Sequence, residues 1–429
     1  MAYSDGVLLQ TVHVAYSAKA REGVDTKYAN TVATAFGYTL EELQSIPAEA
    51  NLGLSCGNPV ASATIKKGEY VLDLGSGGGI DVLLAASKVG PNGQAIGLDM
   101  SADMISLARR NAAKQGLTPP QVCFVQASLT EPLPVVSDSI DCILSNCVVN
   151  LLPTSGKAAI MKEAMRVLRP GGRVVFHDII AKQPLPAEIA NDLSAYVGCI
   201  AGAITLEQYR AILGQAGFRD ILFVDTRTDI NVYALSETSG SNGCCPPTAG
   251  CCAPAAPSTK PTFDANAWVA SYQIYAVKPG DQAGSTAVDR PANALQRWWD
   301  AFPTAPSGIP QISAEEVANL MKKGCPGQDF AVIDVRRDDH KGGHVKGSHQ
   351  WPAQTFYNDL PEFINTFGRT SKVIFYCGSS TGRGPRCAGW YQGRLQELGL
   401  SSSAALVLEG GFKGWKELYG EQRDLTARD

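Results

Sequence analysis

Twelve cysteines punctuate a chain of 429 residues, and their settings imply different chemistries. Cys377 lies in Phe375-Tyr-Cys-Gly-Ser-Ser-Thr-Gly-Arg383, a Cys-x5-Arg spacing between an apolar run and a helical stretch. A loop of this kind turns successive N–H groups inward and makes a cradle for a tetrahedral oxyanion. Arg383 can grip two anion oxygens as a fork, and with the helix end it favours a thiolate nucleophile at Cys377. Cys56, Cys147 and Cys199 sit instead among glycine and asparagine, in Asn51-Leu-Gly-Leu-Ser-Cys-Gly-Asn-Pro59, Ser145-Asn-Cys-Val-Val-Asn150 and Tyr196-Val-Gly-Cys-Ile-Ala-Gly202. No C-x-x-C metal pair is present among them. A small buried hydrophobe is the ordinary role of a single cysteine. Cys123 and Cys142, inside apolar runs, fit that role better than these three.

The stretch Val71-Leu-Asp-Leu-Gly-Ser-Gly-Gly-Gly79 reads as a buried strand, a tight turn and a helix start. Such a turn lets backbone N–H groups approach a small-molecule ligand. Asp73 lies in the strand. Asp99 closes the next apolar run, where an acid takes a pair of ribose hydroxyls. The glycines Gly75, Gly77 and Gly79 are more compactly spaced than in a dinucleotide site, which leaves a pyrophosphate binder as the second reading.

Around these residues, elements alternate. Strands are expected at 70–74, 94–98, 121–126, 139–145, 173–177 and 220–225, and helices at 80–88, 102–115 and 154–168, with another from Thr205. Thr39-Leu-Glu-Glu42 and Thr205-Leu-Glu-Gln208 match the capping box. The alternation argues for a parallel sheet covered on both faces. Residues 1–24 carry little signal. Ala267 to Val277 reads as a strand returning to this sheet. Residues 236–262, rich in Ser, Gly, Pro and Ala, read as a flexible insert, and 281–310 as a linker. The expected domains are thus 1–280 and 311–429, the second a small α/β unit with strands at 330–335, 372–376 and 404–408. In the insert, Cys244-Cys245 and Cys251-Cys252 are poorly spaced for a tetrahedral ion. They offer an accessory arm that captures a thiophilic ligand, or a reactive, nonessential segment.

Composition is globular, with 45% hydrophobic and 18% charged residues and a net charge of −4. No basic block marks a nucleic-acid partner, and no apolar run is long enough to span a bilayer. Without a leader-like N-terminus the expected location is the cytoplasm, where twelve cysteines are not a disulfide framework.

Residues from about 25 to 280 resemble the arsenite S-adenosylmethionine methyltransferases. The resemblance is carried by the three cysteine segments and by Val71-Leu-Asp-Leu-Gly-Ser-Gly77. It implies a class I methyltransferase fold, Rossmann-like, with a mixed but mostly parallel sheet. It assigns Cys56, Cys147 and Cys199 as arsenic-binding thiols. S-adenosylmethionine would contact Asp73, Gly75, Ser76, Gly77, Asp99, Met100, Ser128, Leu129 and Asn146. The segment Ala127-Ser-Leu-Thr130 lacks the acid usual in the family. The resemblance also implies a thiol reductant, glutathione or a thioredoxin- or glutaredoxin-type protein. Trivalent arsenic is soft and thiophilic, so thiolates are its natural ligands, and three of them leave its lone pair outward.

Residues from about 311 to 420 resemble the rhodanese fold, through Val332-Ile-Asp-Val-Arg336, Gly343-His-Val-Lys-Gly-Ser348 and the Cys377 loop. The loop is a residue longer than is typical of sulfur-transferring rhodaneses. It looks like that of the rhodanese-type phosphatases and fungal arsenate reductases, which implies arsenate as substrate and Cys377 as nucleophile. Tyr376 departs from the histidine common before the phosphatase nucleophile. A sulfurtransferase and a noncatalytic oxyanion-binding module are the competing readings. Cys387 is either a resolving thiol or core.

Overall fold

The computed structural model describes residues 3–237, 264–280, 291, 293–340 and 342–427. The chain divides into two units, Met1–Ala301 and Phe302–Asp429. Cys244, Cys245, Cys251 and Cys252 lie outside the described residues. Among the described residues no helix is long and apolar enough to cross a membrane.

The first unit begins with three helices, α1 (Asp5–Glu22), α2 (Thr26–Ala35) and α3 (Leu40–Gln44), and the short α4 (Pro59–Ser62). Then come β1 (Tyr70–Leu74), α5 (Ile80–Val89), β2 (Gln94–Asp99), α6 (Ala102–Lys114), β3 (Val122–Gln126), β4 (Ile140–Asn146), α7 (Thr154–Val167) and β5 (Leu168–Ala181). The short α8 (Ala187–Ala190) and α9 (Leu193–Val197) lead to α10 (Leu206–Ala216), β6 (Arg219–Asp225) and β7 (Val269–Val277). The sheet order is β3-β2-β1-β4-β5-β7-β6. Only β7 runs antiparallel to its neighbours. Every residue of β1 is buried, as a central parallel strand with helices on both faces requires. Both expected capping boxes form, at Thr39 with Glu42 and at Thr205 with Gln208.

Three features differ from the sequence reading. Helix α1 forms where no signal was seen, because it buries little of itself: Val12, Ser17 and Ala20. It is seated by polar contacts, Ser17 Oγ to Ser101 Oγ at 2.7 Å and Arg21 to Asp103 at 2.6 Å. Strand β5 extends well beyond 173–177, because β7 pairs with it from Arg173 to Ala181. Part of the expected linker packs on the first unit: the N–H of Val136 donates to Ala294 O at 2.8 Å, and Leu295 is buried.

The second unit runs β8 (Gln311–Ile312), α11 (Ala314–Lys323), β9 (Phe330–Asp334), β10 (His344–Val345), β11 (His349–Gln350), α12 (Ala353–Phe367), β12 (Lys372–Tyr376), α13 (Arg383–Glu397), β13 (Ala404–Leu408), α14 (Gly411–Tyr419) and β14 (Thr426–Ala427). Its parallel sheet has the order β11-β9-β12-β13-β8. Phe356, Phe363 and Phe367 of α12 bury an aromatic face. The first turn of α14 grips the Cys377 loop from behind. The N–H groups of Phe412 and Lys413 donate to the carbonyls of Cys377 and Gly378, both at 2.9 Å. Gly411 makes this approach possible: at φ 59° its absent Cβ would lie 2.4 Å from Cys377 O. Gly411→Ala should therefore cost about 1–3 kcal/mol in the unfolding of this unit, followed by denaturant titration with tryptophan fluorescence.

Candidate active sites

Cys56, Cys147 and Cys199 come from three separate loops and meet in one buried cluster. The sulfurs of Cys56 and Cys147 and a carboxylate oxygen of Asp178 lie within 4.8 Å of one another. Cys199 Sγ donates to the carbonyl of Cys147 at 2.9 Å. The loops are held by backbone bonds at the cysteines themselves. Asn146 Oδ1 accepts from Cys56 N at 3.0 Å, and Ser271 Oγ donates to Cys56 O at 2.6 Å. Cys147 N donates to His177 O at 2.8 Å, and Asn150 Nδ2 donates to Cys199 O at 3.3 Å. Cys147 and Cys199 both take the left-handed conformation, φ 59° and 63°, which costs a non-glycine residue about 1–3 kcal/mol. Gly57 has no side chain because the His177 ring fills its place, with Nδ1 1.8 Å from the position of a Cβ.

The cluster is a neutral one. Burial pushes the Cys56 thiol up to about 11. Hydrogen bonding with Cys199 pulls Cys147 down, but Cys56 and burial carry it well above the ordinary thiol value. Cys199 is raised by its bond with Cys147 and by burial. Burial also pushes Asp178 up to about 7 and His177 down to about 4. Asp178, His177 and the buried Lys157 were not found from sequence. They sit in or beside apolar runs, where alternation with buried neighbours hides them.

Cys147 also lines the wall of an adjoining cavity of about 990 Å³, its open mouth included. The β1 turn supplies one side with Asp73, Gly75, Ser76 and Gly77, and the end of β2 supplies Asp99 and Met100. Ser128, Leu129 and Asn146 line it as well. Asp99 is fixed by the N–H groups of Gly77 at 3.0 Å and Ser101 at 2.9 Å. Asn146 Nδ2 donates to Tyr38 Oη at 2.8 Å and to Asp81 Oδ2 at 3.1 Å, so one side chain ties the cavity wall to the Cys56 loop. Leu9, Val12, His13 and Tyr16 of α1 also line the cavity, a contribution invisible in the sequence pattern.

Two buried polar atoms on this wall have no partner, Asp73 Oδ1 and Ser76 Oγ. Three carboxylates, Asp73, Asp81 and Asp99, share the cavity, and burial raises all three. Asp81 reaches about 6. A cationic ligand bearing hydroxyl or amine donors suits such a wall, since it would satisfy the orphan atoms and offset the acids.

In the second unit Cys377 is buried at the end of β12, and Arg383 opens α13. Among the described residues, the N–H groups of Gly378 through Gly382 donate to no protein acceptor. With the carbonyls of Cys377 and Gly378 drawn back by α14, the loop is left with free donors, as an anion cradle requires. Arg383 does not stand free. Its Nη1 and Nη2 donate to the two oxygens of Asp339 at 2.9 and 2.5 Å. Tyr376 Oη donates to Asp334 Oδ2 at 2.8 Å. Cys387 is wholly buried in α13 and belongs to the core.

Comparison with known proteins agrees with this division. Residues 65–217 match a family model described as a methyltransferase domain, and residues 313–418 a rhodanese-like domain. The chain is 44% identical over 185 residues to an arsenite methyltransferase of Halobacterium salinarum, covering 43% of this chain and 46% of that protein. It thus spans about half the length of these arsenite methyltransferases. It is 34% identical over 113 residues to arsenate reductase 2.1 of Oryza sativa subsp. japonica, covering 26% of this chain and 70% of that protein. A CDC25-like phosphatase of Saccharomyces cerevisiae is 33% identical over 111 residues, covering 23% of this chain and 74% of its own. The first unit has a class I methyltransferase fold and the second a rhodanese-like α/β fold.

The acid-lined wall fits S-adenosylmethionine, whose sulfonium and ammonium are cationic. Binding a cation beside Asp81 holds that carboxylate ionised, so complex formation releases a proton wherever the empty site is protonated. Affinity should therefore weaken as pH falls through about 6. A calorimetric titration of S-adenosylmethionine is expected to show a dissociation constant about 3–10-fold higher at pH 5.5 than at pH 7.5.

Proposed function

We propose that this chain, which belongs through its C-terminal domain to the rhodanese-like family of arsenate reductases and CDC25-like phosphatases, runs two consecutive arsenic reactions. Its N-terminal methyltransferase domain would methylate the arsenite that its C-terminal domain forms from arsenate. The observation that carries the first half is that three buried, neutral thiols adjoin the acid-lined cavity, with Cys147 common to both.

Loading needs no base. Each thiol gives its proton to a departing hydroxyl of arsenous acid, three waters leave, and three S–As bonds form. The complex is uncharged, which suits a buried cluster far better than a cation held by thiolates. Cys147 brings the arsenic to the cavity wall, and the apolar surround excludes water. S-adenosylmethionine, when bound, supplies an electrophilic methyl group. The protein's part is to align the arsenic lone pair with it, which is catalysis by positioning. Methylation oxidises arsenic formally; an external thiol of the glutathione, thioredoxin or glutaredoxin kind then attacks one arsenic-bound cysteine sulfur and loses its proton, a disulfide forms, and the S–As electron pair stays on arsenic, which returns to the trivalent state. That requirement supports a reducing compartment, the cytoplasm.

In the second half, Cys377 Sγ attacks arsenate held by the loop N–H groups and Arg383, and a hydroxyl leaves as water. A second thiol then attacks the cysteine sulfur. A disulfide forms, the S–As electron pair stays on arsenic, and arsenite departs. Two thiols are oxidised and one arsenic atom is reduced by two electrons. Cys387 is unsuited as that second thiol because it is wholly buried.

Changing Cys56, Cys147 or Cys199 singly to serine should lower methyl transfer from S-adenosylmethionine to arsenite by at least about 100-fold, because arsenic is lost or misplaced. In the Cys56 and Cys199 variants, which stand off the cavity wall, the affinity for S-adenosylmethionine should stay within about 3-fold of the parent. Normal turnover in any of the three removes that thiol from the mechanism.

A further inference from the structure

We propose that Asp339 is the positioning residue of the C-terminal site, holding the outer edge of the Arg383 guanidinium so that its Nε edge is kept for an oxyanion in the Cys377 loop. The inference deepens the oxyanion reading of that site and rests on it.

A guanidinium has an end-on edge, formed by the two Nη atoms, and a side edge formed by Nε and one Nη. Asp339 takes the end-on edge with both oxygens, at 2.9 and 2.5 Å. Among the described residues Arg383 Nε has no acceptor. One fork is therefore filled by the protein and the other is open. Arg383 is the first residue of its helix and about a quarter exposed, so without a partner its long side chain would sample many rotamers. A planar fork pinned at one edge loses little more on meeting a second anion.

Asp339 is itself anchored. Its Oδ1 accepts from Arg337 N at 3.0 Å, and its backbone carbonyl lies 3.5 Å from Arg336 Nη1. Arg336 is buried in a paired set of bonds to Asp334, with Nη2 to Oδ2 at 2.6 Å, and it donates to Gly343 O at 2.9 Å. Its guanidinium also lies over the rings of Phe412, 4.2 Å away, and Tyr376, 5.5 Å away. Tyr376 completes the circuit through its bond to Asp334 and directly precedes Cys377. The base of the nucleophile strand and the clamp of its arginine are thus parts of one hydrogen-bonded frame. The tyrosine that stands in place of the usual histidine is a member of that frame. The Arg383 charge beside Asp339 holds the carboxyl well below the ordinary carboxylate range, so the clamp persists at any pH of use.

The test is a double-mutant cycle in the full-length chain. Inorganic phosphate and arsenate are titrated calorimetrically into Asp339→Asn, Arg383→Ala and the double variant, each carrying Cys377→Ser to prevent turnover. Asp339→Asn should weaken both anions about 10-fold and Arg383→Ala about 100-fold, with the double variant no weaker than Arg383→Ala alone. With Cys377 intact, Asp339→Asn should raise the KM for arsenate about 10-fold while kcat changes less than about 3-fold. Asp339→Glu should recover part of the loss, and Asp339→Ser should repeat it. Tighter anion binding in Asp339→Asn would make Asp339 a competitor for Arg383 and overturn the proposal. Full additivity in the double variant, or no binding of either anion to the parent, would overturn it as well. A parent that binds both anions yet forms no arsenite would sink the reductase reading alone, since the binding cycle still reports on Asp339.

Discussion

Reactive thiols can be gathered in a protein interior only if little charge is buried with them, and the first unit is arranged around that constraint. Cys56, Cys147 and Cys199 are almost wholly inaccessible, and their surroundings hold them as neutral thiols. A trivalent atom that replaces three protons leaves the charge at zero. A divalent cation on the same ligands would leave an excess of negative charge in a site with little to balance it. The constraint also explains the backbone. Thiols that cannot be steered by ion pairs must be steered by their own loops, so carbonyls and N–H groups of the cysteines are individually bonded, and two of the three residues accept a left-handed conformation.

The second unit uses the opposite device. There Cys377 stands beside a run of unspent backbone donors, its loop drawn back by the first turn of α14, and a bound anion would bring the negative charge. One chain therefore carries a thiol cluster suited to a neutral thiophilic species and a loop suited to an oxyanion. The acid-lined cavity adds a third electrostatic character, suited to a cation.

Much of this was legible in the sequence because the relevant signals are local. The Gly75 turn, the Cys377 loop and the capping boxes at Thr39 and Thr205 are short patterns whose chemistry depends on neighbours in the chain. The cavity residues of the β1 turn and the end of β2 follow from the rule that ligands lie beyond strand carboxyl ends. What was not legible depends on distant contacts. Helix α1 has a weak apolar face because it is seated by Ser17 and Arg21, and a pattern search finds apolar periodicity, not hydrogen bonds. Asp178 and His177 lie in a run of buried strand residues, where nothing local marks a polar group as useful. Asp339 sits in the mixed-charge stretch Arg336-Arg337-Asp338-Asp339-His340, where nothing local marks it out until Arg383 is folded against it. The seating of Leu295 escapes notice for the same reason: it is an ordinary leucine in a polar segment until it pairs with Val135.

The central claim, that one chain converts arsenate to a methylated product, is tested most directly by arsenic speciation. Purified full-length protein would be incubated with S-adenosylmethionine, a thiol reductant and arsenate as the sole arsenic source, beside a Cys377→Ser variant and an arm supplied with arsenite. The account predicts methylated arsenic from arsenate in the parent, none from arsenate in the variant, and methylated arsenic from arsenite in both. Methylated arsenic from arsenite but none from arsenate in the parent would contradict it, and would return the C-terminal domain to sulfur transfer or to oxyanion binding without turnover.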